Sequence, residues 1–321
     1  MTDFRNELAP AQLGEFRATV DLVHCGPAEV SVRYELTGPA TAPLLIVAGG
    51  ISAHRHVLAN DAEGEAGWWQ AQSELLANYR ILAIDWLGAD GEFDRPINSS
   101  DQARALLATL DELGLAQITA FVGSSYGAMV GMHCAAIAPD RIPALLAISG
   151  AHRSHPFTSA QRALQRQAVE LGERLGAPEQ AVALARKLAI LTYRTPEEFA
   201  QRFAQPSELD GDRGRASSEG YLDHMGEKHS ARMCAIAYRR LSESIDLHRI
   251  DPAALRVPCT FVGVDSDQLV PAADVETLAR TVPGSRFIRI TSIYGHDAFL
   301  KEEREITKII ADFLNSLEQP Q

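Results

Sequence analysis

The chain has 321 residues, of which 46% are hydrophobic and 22% charged, a composition typical of a globular protein with a sizeable core. Its 30 Lys and Arg against 42 Asp and Glu give a net charge of −12, which argues against nucleic acid or an anionic membrane surface as a main partner. Residues 1–14 are polar and acidic, unlike a signal or transit peptide, and no apolar run approaches the roughly 18–20 residues of a membrane span. We therefore expect a cytoplasmic protein.

The cysteines and histidines give no pattern typical of a metal site. Four cysteines are scattered without C-x-x-C spacing, which predicts reduced thiols rather than disulfides or zinc ligands. His54 and His56 flank Arg55, but no third ligand accompanies them at a suitable spacing. We predict no metal and no permanently bound cofactor.

From about residue 30, short apolar runs alternate with longer segments of helical periodicity. This alternation predicts a mostly parallel sheet with helices on both faces. The predicted strands are 30–36, 44–48, 81–85, 118–122, 144–149, 259–264 and 286–291. The predicted helices are 67–77, 100–113, 128–138, 272–282 and 299–317.

The alternation is interrupted between residues 158 and 247, where Gln, Arg, Glu and Ala dominate and no convincing strand occurs. We expect helices there, with an exposed loop at 208–220 because that segment is rich in Gly, Ser and charge. The strand and helix pattern then resumes. It predicts one core domain formed by residues 1–154 and 248–321, with residues 155–247 as a helical lid insertion, called the lid insertion below.

The segment Gly123-Ser124-Ser125-Tyr126-Gly127 lies between a predicted strand and a predicted helix. In that context a G-x-S-x-G pentapeptide is typical of a sharp turn that lifts its serine clear of the sheet. We predict that Ser125 is a nucleophile and that the Tyr126 N–H helps to hold an oxyanion.

A serine nucleophile needs a base, and the base usually needs an acid to orient it. Asp265 and Asp267 both follow the predicted strand 259–264, so position alone leaves the acid open. His296 follows the strand 286–291 and is the expected base. A second oxyanion donor is expected after strand 44–48, where the candidate is the Ile51 N–H; the alternative is that Gly49 and its neighbour only form a tight turn.

Four segments carry a resemblance to a known family: residues 123–129, 163–169, 220–238 and 295–300. The last of these reads Gly-His-Asp-Ala-Phe-Leu and is the most specific. On these segments the chain resembles the homoserine O-acyltransferases of the α/β-hydrolase superfamily, which act in methionine biosynthesis. The resemblance covers nearly the whole chain. It implies an α/β-hydrolase fold and a homodimer joined through the lid helices.

The resemblance implies that Ser125 is acylated by acetyl-CoA or succinyl-CoA as cosubstrate, and that the acyl group then passes to the hydroxyl of L-homoserine in a ping-pong reaction. His296 would act as base and acid. Asp267 would orient it, because Ser-Asp-x-Leu at 266–269 matches the family segment. Three alternatives stay open: serine as acceptor, an esterase or thioesterase, and a binding protein without catalysis.

The resemblance also implies residues that bind substrate. Arg166 would grip the α-carboxylate and Asp297 would pair with the α-ammonium group, which suits the chemistry of both side chains. Tyr238 would lie near the substrate hydroxyl, or would pack within the lid insertion. Related succinyl-transferring enzymes often carry an arginine where this chain has Leu269, so Leu269 favours acetyl, with the donor left open. The family's Leu-Thr-Gly is here Ile-Ser-Ala at 51–53.

Overall fold

A computed structural model describes residues 9–318, and its centre is an eight-stranded sheet in the order β1-β2-β4-β3-β5-β6-β9-β10. The strands are β1 Ala11–Leu22, β2 Gly26–Thr37, β3 Leu44–Ala48, β4 Arg80–Ile84, β5 Ala120–Ser124, β6 Leu145–Ile148, β9 Cys259–Val264 and β10 Arg286–Ile290. β1 and β2 form an antiparallel hairpin, and β2 pairs antiparallel with β4. From β4 to β10 the sheet is parallel, as predicted.

Helices cover both faces of this sheet, which confirms the predicted fold class. Leu44 and Ile46 of β3 belong to one apolar cluster, and Leu45 and Val47 to another, as alternation along a strand requires. The first cluster packs beneath α2 Ser99–Glu112, α3 Tyr126–Ile137 and α9 Ala272–Thr281. The second packs beneath α1 Ser73–Leu76 and α11 Glu303–Glu318, and the short α10 Ala298–Lys301 precedes α11.

The segment between β6 and β9 holds five α-helices, one small hairpin and a 3₁₀ turn at Pro252–Ala254. The helices are α4 Pro156–Arg174, α5 Pro178–Tyr193, α6 Pro196–Arg202, α7 Glu219–Ser230 and α8 Ala235–Asp246. The hairpin pairs β7 Glu208–Asp210 with β8 Arg213–Arg215, inside the segment that we expected to be a loop without strands. The expectation that this segment has no strands was wrong. The two strands have only three residues each and lack apolar alternation, so the sequence gives little sign of them. A Gly-Asp turn at 211–212 connects them.

Two other boundaries differ from expectation. The first strand, β1, begins at Ala11, far before residue 30. Its residues 15–22 alternate between exposed polar and packed apolar side chains, as in an edge strand with one face on the core. The predicted helix 67–77 is only a 3₁₀ turn followed by α1. Residues 1–8, to which part of the N-terminal expectation refers, lie outside the described residues. Within residues 9–318, no helix is both long and apolar enough to span a bilayer.

Candidate active site

A strained turn between β5 and α3 presents Ser125. Its backbone has φ 54° and ψ −118°, a conformation that side-chain-bearing residues rarely adopt. A Cβ on Gly123 would lie 2.5 Å from the Gly127 carbonyl oxygen, and one on Gly127 would lie 2.1 Å from the Ala48 carbonyl oxygen. Only glycine fits at both positions, so the chain can turn sharply and raise the Ser125 hydroxyl above the sheet.

The structure brings Ser125, His296 and Asp267 together. His296 Nδ1 lies 2.7 Å from Asp267 Oδ2, and its Nε2 lies 2.6 Å from Ser125 Oγ. A carboxylate can only accept, so Nδ1 carries the proton, and Nε2 accepts from the serine hydroxyl. The other Asp267 oxygen accepts the N–H groups of Leu269 at 2.9 Å and Val270 at 3.0 Å. This is the geometry of a serine nucleophile with its base and orienting acid.

The other candidate acid, Asp265, makes different contacts. Its carboxylate accepts from Arg289 Nη1 at 3.0 Å and from Thr291 Oγ1 at 2.9 Å. Both partners are exposed and belong to the surface around β10. Asp267 is therefore the one of the two acids that contacts His296.

The charge of Asp267 also affects the basicity of His296. Burial by itself lowers the pKa of His296, but the charge of Asp267 and its hydrogen bond outweigh that effect. The pKa of His296 is consequently raised above its ordinary value. A raised pKa makes the ring a stronger base for the Ser125 proton once it is neutral.

Two backbone N–H groups beside Ser125 are available for an oxyanion, those of Tyr126 and Ile51. Neither donates a hydrogen bond within the described part of the chain. The Gly50 carbonyl, on the same peptide as the Ile51 N–H, accepts from Trp86 Nε1 at 3.1 Å and from the Ala53 N–H at 2.9 Å. In a trans peptide the N–H points opposite to the carbonyl, so these two bonds direct the Ile51 N–H away from Trp86.

Ser125 opens into a cavity of about 1120 Å³, counting its open mouth. The walls come from α4, α5, α7 and α8 and from the loops that follow β3, β9 and β10. Most of the lining is apolar, including Ile51, Trp68, Met233, Leu269 and Phe299. An apolar lining of this kind disfavours water beside the reacting groups.

The structure does not place Arg166 at this cavity, and this prediction is corrected. Arg166 Nη1 instead donates to Asp246 Oδ2 at 2.7 Å and to Ser242 Oγ at 3.0 Å. The arginine of α4 that lines the cavity is Arg162, one turn earlier. The buried positions of α4 are 158, 162, 165, 169 and 172, a helical stripe that passes through Arg162 and misses Arg166.

Asp297 lines the cavity beside His296, and it already has a cationic neighbour. Its Oδ2 lies 2.8 Å from Arg194 Nε, and both side chains are largely buried. Burial raises the pKa of Asp297, whereas the charges of Arg194, His296 and Arg186 act in the opposite direction. Asp297 is thus a buried acid close to several cations.

Tyr238 also lines the cavity, and its hydroxyl donates to Gln165 Oε1 at 3.1 Å. Leu269 lines the same space. Burial raises the pKa of the Tyr238 hydroxyl, which therefore stays protonated. His229, on the facing helix α7, has its pKa lowered to about 3 by burial and by Arg186, so its ring is neutral.

Three polar atoms of cavity-lining residues are buried without a hydrogen-bond partner in the described residues. They are Arg186 Nε, the Tyr193 hydroxyl and Trp68 Nε1. Buried polar groups are normally hydrogen-bonded, so these donors at the cavity wall are available to a ligand or a water that accepts from them. A carboxylate has the required chemistry.

Among residues 9–318, one cluster has side chains that could hold a metal: Glu35, His56 and Glu63, whose ligand atoms lie within 4.8 Å of one another. His56 Nδ1 lies 3.1 Å from Glu35 Oε2, and His56 Nε2 donates to the Glu65 carbonyl at 2.9 Å. The Asn60 amide also donates to Glu35 at 2.9 Å, so the carboxylate is already satisfied. These contacts suit a buried histidine and glutamate pair that fixes the loop after β3.

Several residues of the site were missed by sequence reasoning. Arg162 could have been found from the helical stripe of α4, which includes it. Arg186, Arg194, Tyr193 and Trp86 carried no such signal, because their roles depend on partners distant in sequence. Trp86, for example, contacts a carbonyl 36 positions earlier.

Comparison with known proteins agrees with this geometry. Residues 43–303 match the model of the α/β hydrolase fold family. The homoserine O-acetyltransferase of Bacillus anthracis superposes with a TM-score of 0.85 at 15% identity, covering 95% of this chain and 98% of that one. Esterase E22 superposes with a TM-score of 0.81 at 15% identity, covering 95% and 100%. The chain is an α/β-hydrolase-fold protein with a serine nucleophile turn.

Closer relatives define the branch of that superfamily. The chain is 47% identical to the homoserine O-succinyltransferase of Xanthomonas campestris pv. campestris, over 97% of this chain and 86% of the relative. It is 32% identical to a homoserine O-acetyltransferase of Thermus thermophilus, over 79% of this chain and 73% of the relative. The chain belongs to the homoserine O-acyltransferase family and is an acyltransferase, as the resemblance implied.

Proposed function

We propose that this protein transfers a succinyl group from succinyl-CoA to the side-chain hydroxyl of L-homoserine, in methionine biosynthesis. The proposal is supported by one observation: the serine with its base and two arginine side chains line the same cavity. Ser125 lies there with its base at 2.6 Å, and the guanidinium groups of Arg162 and Arg186 line the same space. A serine with a base performs acyl transfer, and two cations suit two substrates that each bring a carboxylate.

Homoserine would bind near Asp297. Its α-ammonium group would pair with the Asp297 carboxylate, which is buried beside the catalytic histidine. Its α-carboxylate would form an ion pair with Arg186, whose Nε is buried without a partner among the described residues, and would be attracted by the nearby Arg194. Arg186 and Arg194 replace Arg166 in this role. Tyr238 and the Tyr193 hydroxyl would complete the polar wall around the acceptor.

The choice of succinyl rests on Arg162. This arginine lines the main cavity and also a smaller one that shares Ser125 and His296 with it. An acyl group on Ser125 therefore lies within the surroundings of Arg162, where a succinyl carboxylate finds a cation and an acetyl methyl group gains nothing. The 47% identical relative is named as a succinyltransferase, which supports this choice over the acetyl donor that Leu269 favours. Leu269 then contributes only apolar packing.

In the first half-reaction, His296 takes the Ser125 proton and the serine oxygen attacks the thioester carbonyl. The N–H groups of Tyr126 and Ile51 stabilise the tetrahedral oxyanion, and Asp267 stabilises the imidazolium that forms. His296 then gives its proton to the departing thiol of coenzyme A. The product is succinyl-Ser125 with a neutral histidine ready for the acceptor.

In the second half-reaction, His296 deprotonates the homoserine hydroxyl, which attacks the acyl-serine through the same oxyanion site. The tetrahedral intermediate then collapses, the bond between Ser125 Oγ and the acyl carbon breaks, and His296 returns its proton to Ser125 Oγ as the O-succinylhomoserine leaves. Water would hydrolyse this ester unless it is excluded or outcompeted. We propose that residues 155–247 act as a lid over Ser125, because four of their helices line the cavity. Binding of homoserine at Asp297 would place the hydroxyl at the acyl-serine in preference to water.

We also propose a homodimer that assembles through the lid insertion. Large apolar side chains are exposed along one stripe of α4 and at the residue after it, namely Phe157, Leu164, Leu171 and Leu175, at 50 to 73% of their surface. Exposed apolar stripes of this size usually face a partner. A cytoplasmic location belongs to the same proposal, because all four cysteines, each within the described residues, are free.

Thiol release from the acyl donor tests the proposal. The purified protein is incubated with succinyl-CoA or acetyl-CoA, with and without L-homoserine or L-serine. We expect release to be fastest with succinyl-CoA and to require homoserine, and Ser125→Ala should abolish it. Release that is independent of any amino acid would indicate a thioesterase, and equal or faster turnover of acetyl-CoA would contradict the succinyl assignment.

A further inference from the structure

We infer that Asp246, at the C-terminal end of α8, is a positioning residue that orients Arg162 toward the carboxylate of the acyl donor. This inference rests on the proposed function and deepens it, because it names the group that sets donor specificity without touching the donor. Asp246 is outside the sets of residues that line either cavity.

Asp246 divides its two oxygens between two arginines. Oδ1 accepts from Arg162 Nε at 2.8 Å and lies 2.6 Å from Arg162 Nη2, while Oδ2 accepts from Arg166 Nη1 at 2.7 Å. The three side chains are only 11 to 18% exposed. Solvent therefore screens these charge-assisted bonds weakly, and they hold Arg162 in one orientation.

The contacts of Arg162 leave one nitrogen free. Nη2 also donates to Ser154 Oγ at 3.1 Å and to Ser159 Oγ at 3.2 Å, so Nε and Nη2 are both engaged within the protein. Within residues 9–318, Nη1 makes no hydrogen bond. Because Arg162 lines both cavities that meet at Ser125, Nη1 is the donor left for a ligand.

The neighbouring Arg166 explains why Arg162 needs the carboxylate of Asp246 in addition to the two serine hydroxyls. Arg162 and Arg166 are four residues apart on one helix, where like charges repel. Asp246 lies between them and neutralises this repulsion. With the charge removed, Ser154 and Ser159 alone would have to hold Arg162 against its neighbour, and Nη1 would lose its fixed direction.

The test is the ratio of kcat/KM for succinyl-CoA to kcat/KM for acetyl-CoA, both with saturating L-homoserine. Asp246→Asn should lower this ratio about tenfold or more, because only the succinyl donor uses a charge-assisted bond to Arg162. Glu243→Gln is the matched control, since it removes a carboxylate of α8 that pairs with Arg240, a residue outside both cavities. The control should keep the ratio of the unmodified protein.

A purely structural role would lower both rates equally and leave the ratio unchanged, and that result would overturn the inference. As a second test, Asp246→Asn in an Arg162→Gln background should not change the ratio further, because Asp246 acts through Arg162. An additional fall there would also overturn it. If the unmodified protein prefers acetyl-CoA, the donor assignment itself fails and the inference fails with it, whereas a retained preference in Asp246→Asn refutes the inference alone.

Discussion

Replacement of Trp86 by Phe tests how the oxyanion site is held. The indole N–H donates to the Gly50 carbonyl at 3.1 Å. Within the described residues, the only other donor to that oxygen is the Ala53 N–H at 2.9 Å, which would remain in the variant. Loss of one neutral hydrogen bond costs about 1 kcal/mol of stability, and the smaller buried ring adds about 1–2 kcal/mol. The fold should survive, with a peptide that is less firmly oriented.

Trp86→Phe should affect kcat more than KM. Removal of an entire oxyanion donor costs about 10²–10³ in kcat. Because the Ala53 bond remains, we expect about a tenfold loss of kcat in Trp86→Phe, with little change in KM, since the oxyanion develops only during the reaction and is absent from the bound substrate. Steady-state release of coenzyme A measures both constants.

Trp69→Phe is a suitable control. Trp69 is also buried, and its Nε1 donates to the Phe299 carbonyl at 3.1 Å, so the variant loses a similar bond without touching the loop carbonyl of Gly50. Its kcat should fall less than that of Trp86→Phe. Equal losses in the two variants, or an unchanged kcat in Trp86→Phe, would refute the role of the indole in orienting the Ile51 N–H.

Two further predictions concern pH and assembly. His296 must be neutral to take the serine proton, and its pKa is raised, so kcat/KM should rise with pH through a value above the usual 6.5. Asp267→Asn removes the charge that raises the pKa of His296. The pH–rate profile of this variant should therefore show the rising limb at lower pH, together with a large loss of rate. A limb that stays in place would contradict the assigned role of Asp267. Leu164→Glu with Leu171→Glu should halve the mass measured by light scattering, whereas Leu209→Glu, an 80% exposed leucine of the hairpin, should leave it unchanged. A dimer that persists in the double variant would place the interface elsewhere.

The sequence predicted best those features that depend on short segments. Three local patterns could be read directly. They are the apolar strand before Ser125, the glycines at 123 and 127, and the positions of Asp267 and His296 soon after the ends of two predicted strands. Arg166 was misassigned because position on a helix decides which of two nearby arginines reaches the cavity, and the burial stripe selects Arg162. β1 was missed because it lacks the continuous apolar run of a buried strand, although the alternation of polar and apolar side chains at 15–22 is the pattern of a strand with one exposed face.

Helix α8 connects the lid insertion to the catalytic turn, and this connection bears on how the insertion can move. The Ser244 hydroxyl, on α8, lies 2.8 Å from that of Tyr126, the residue after the nucleophile, and both are fully buried. Just beyond α8, His248 Nε2 donates to the Ala151 carbonyl at 2.9 Å, and its Nδ1 lies 2.6 Å from Ser99 Oγ. Burial lowers the pKa of His248 to about 3, so these bonds persist across the working range of pH. These bonds connect α8 to the core domain, so we expect any opening of the proposed lid to come from its other helices.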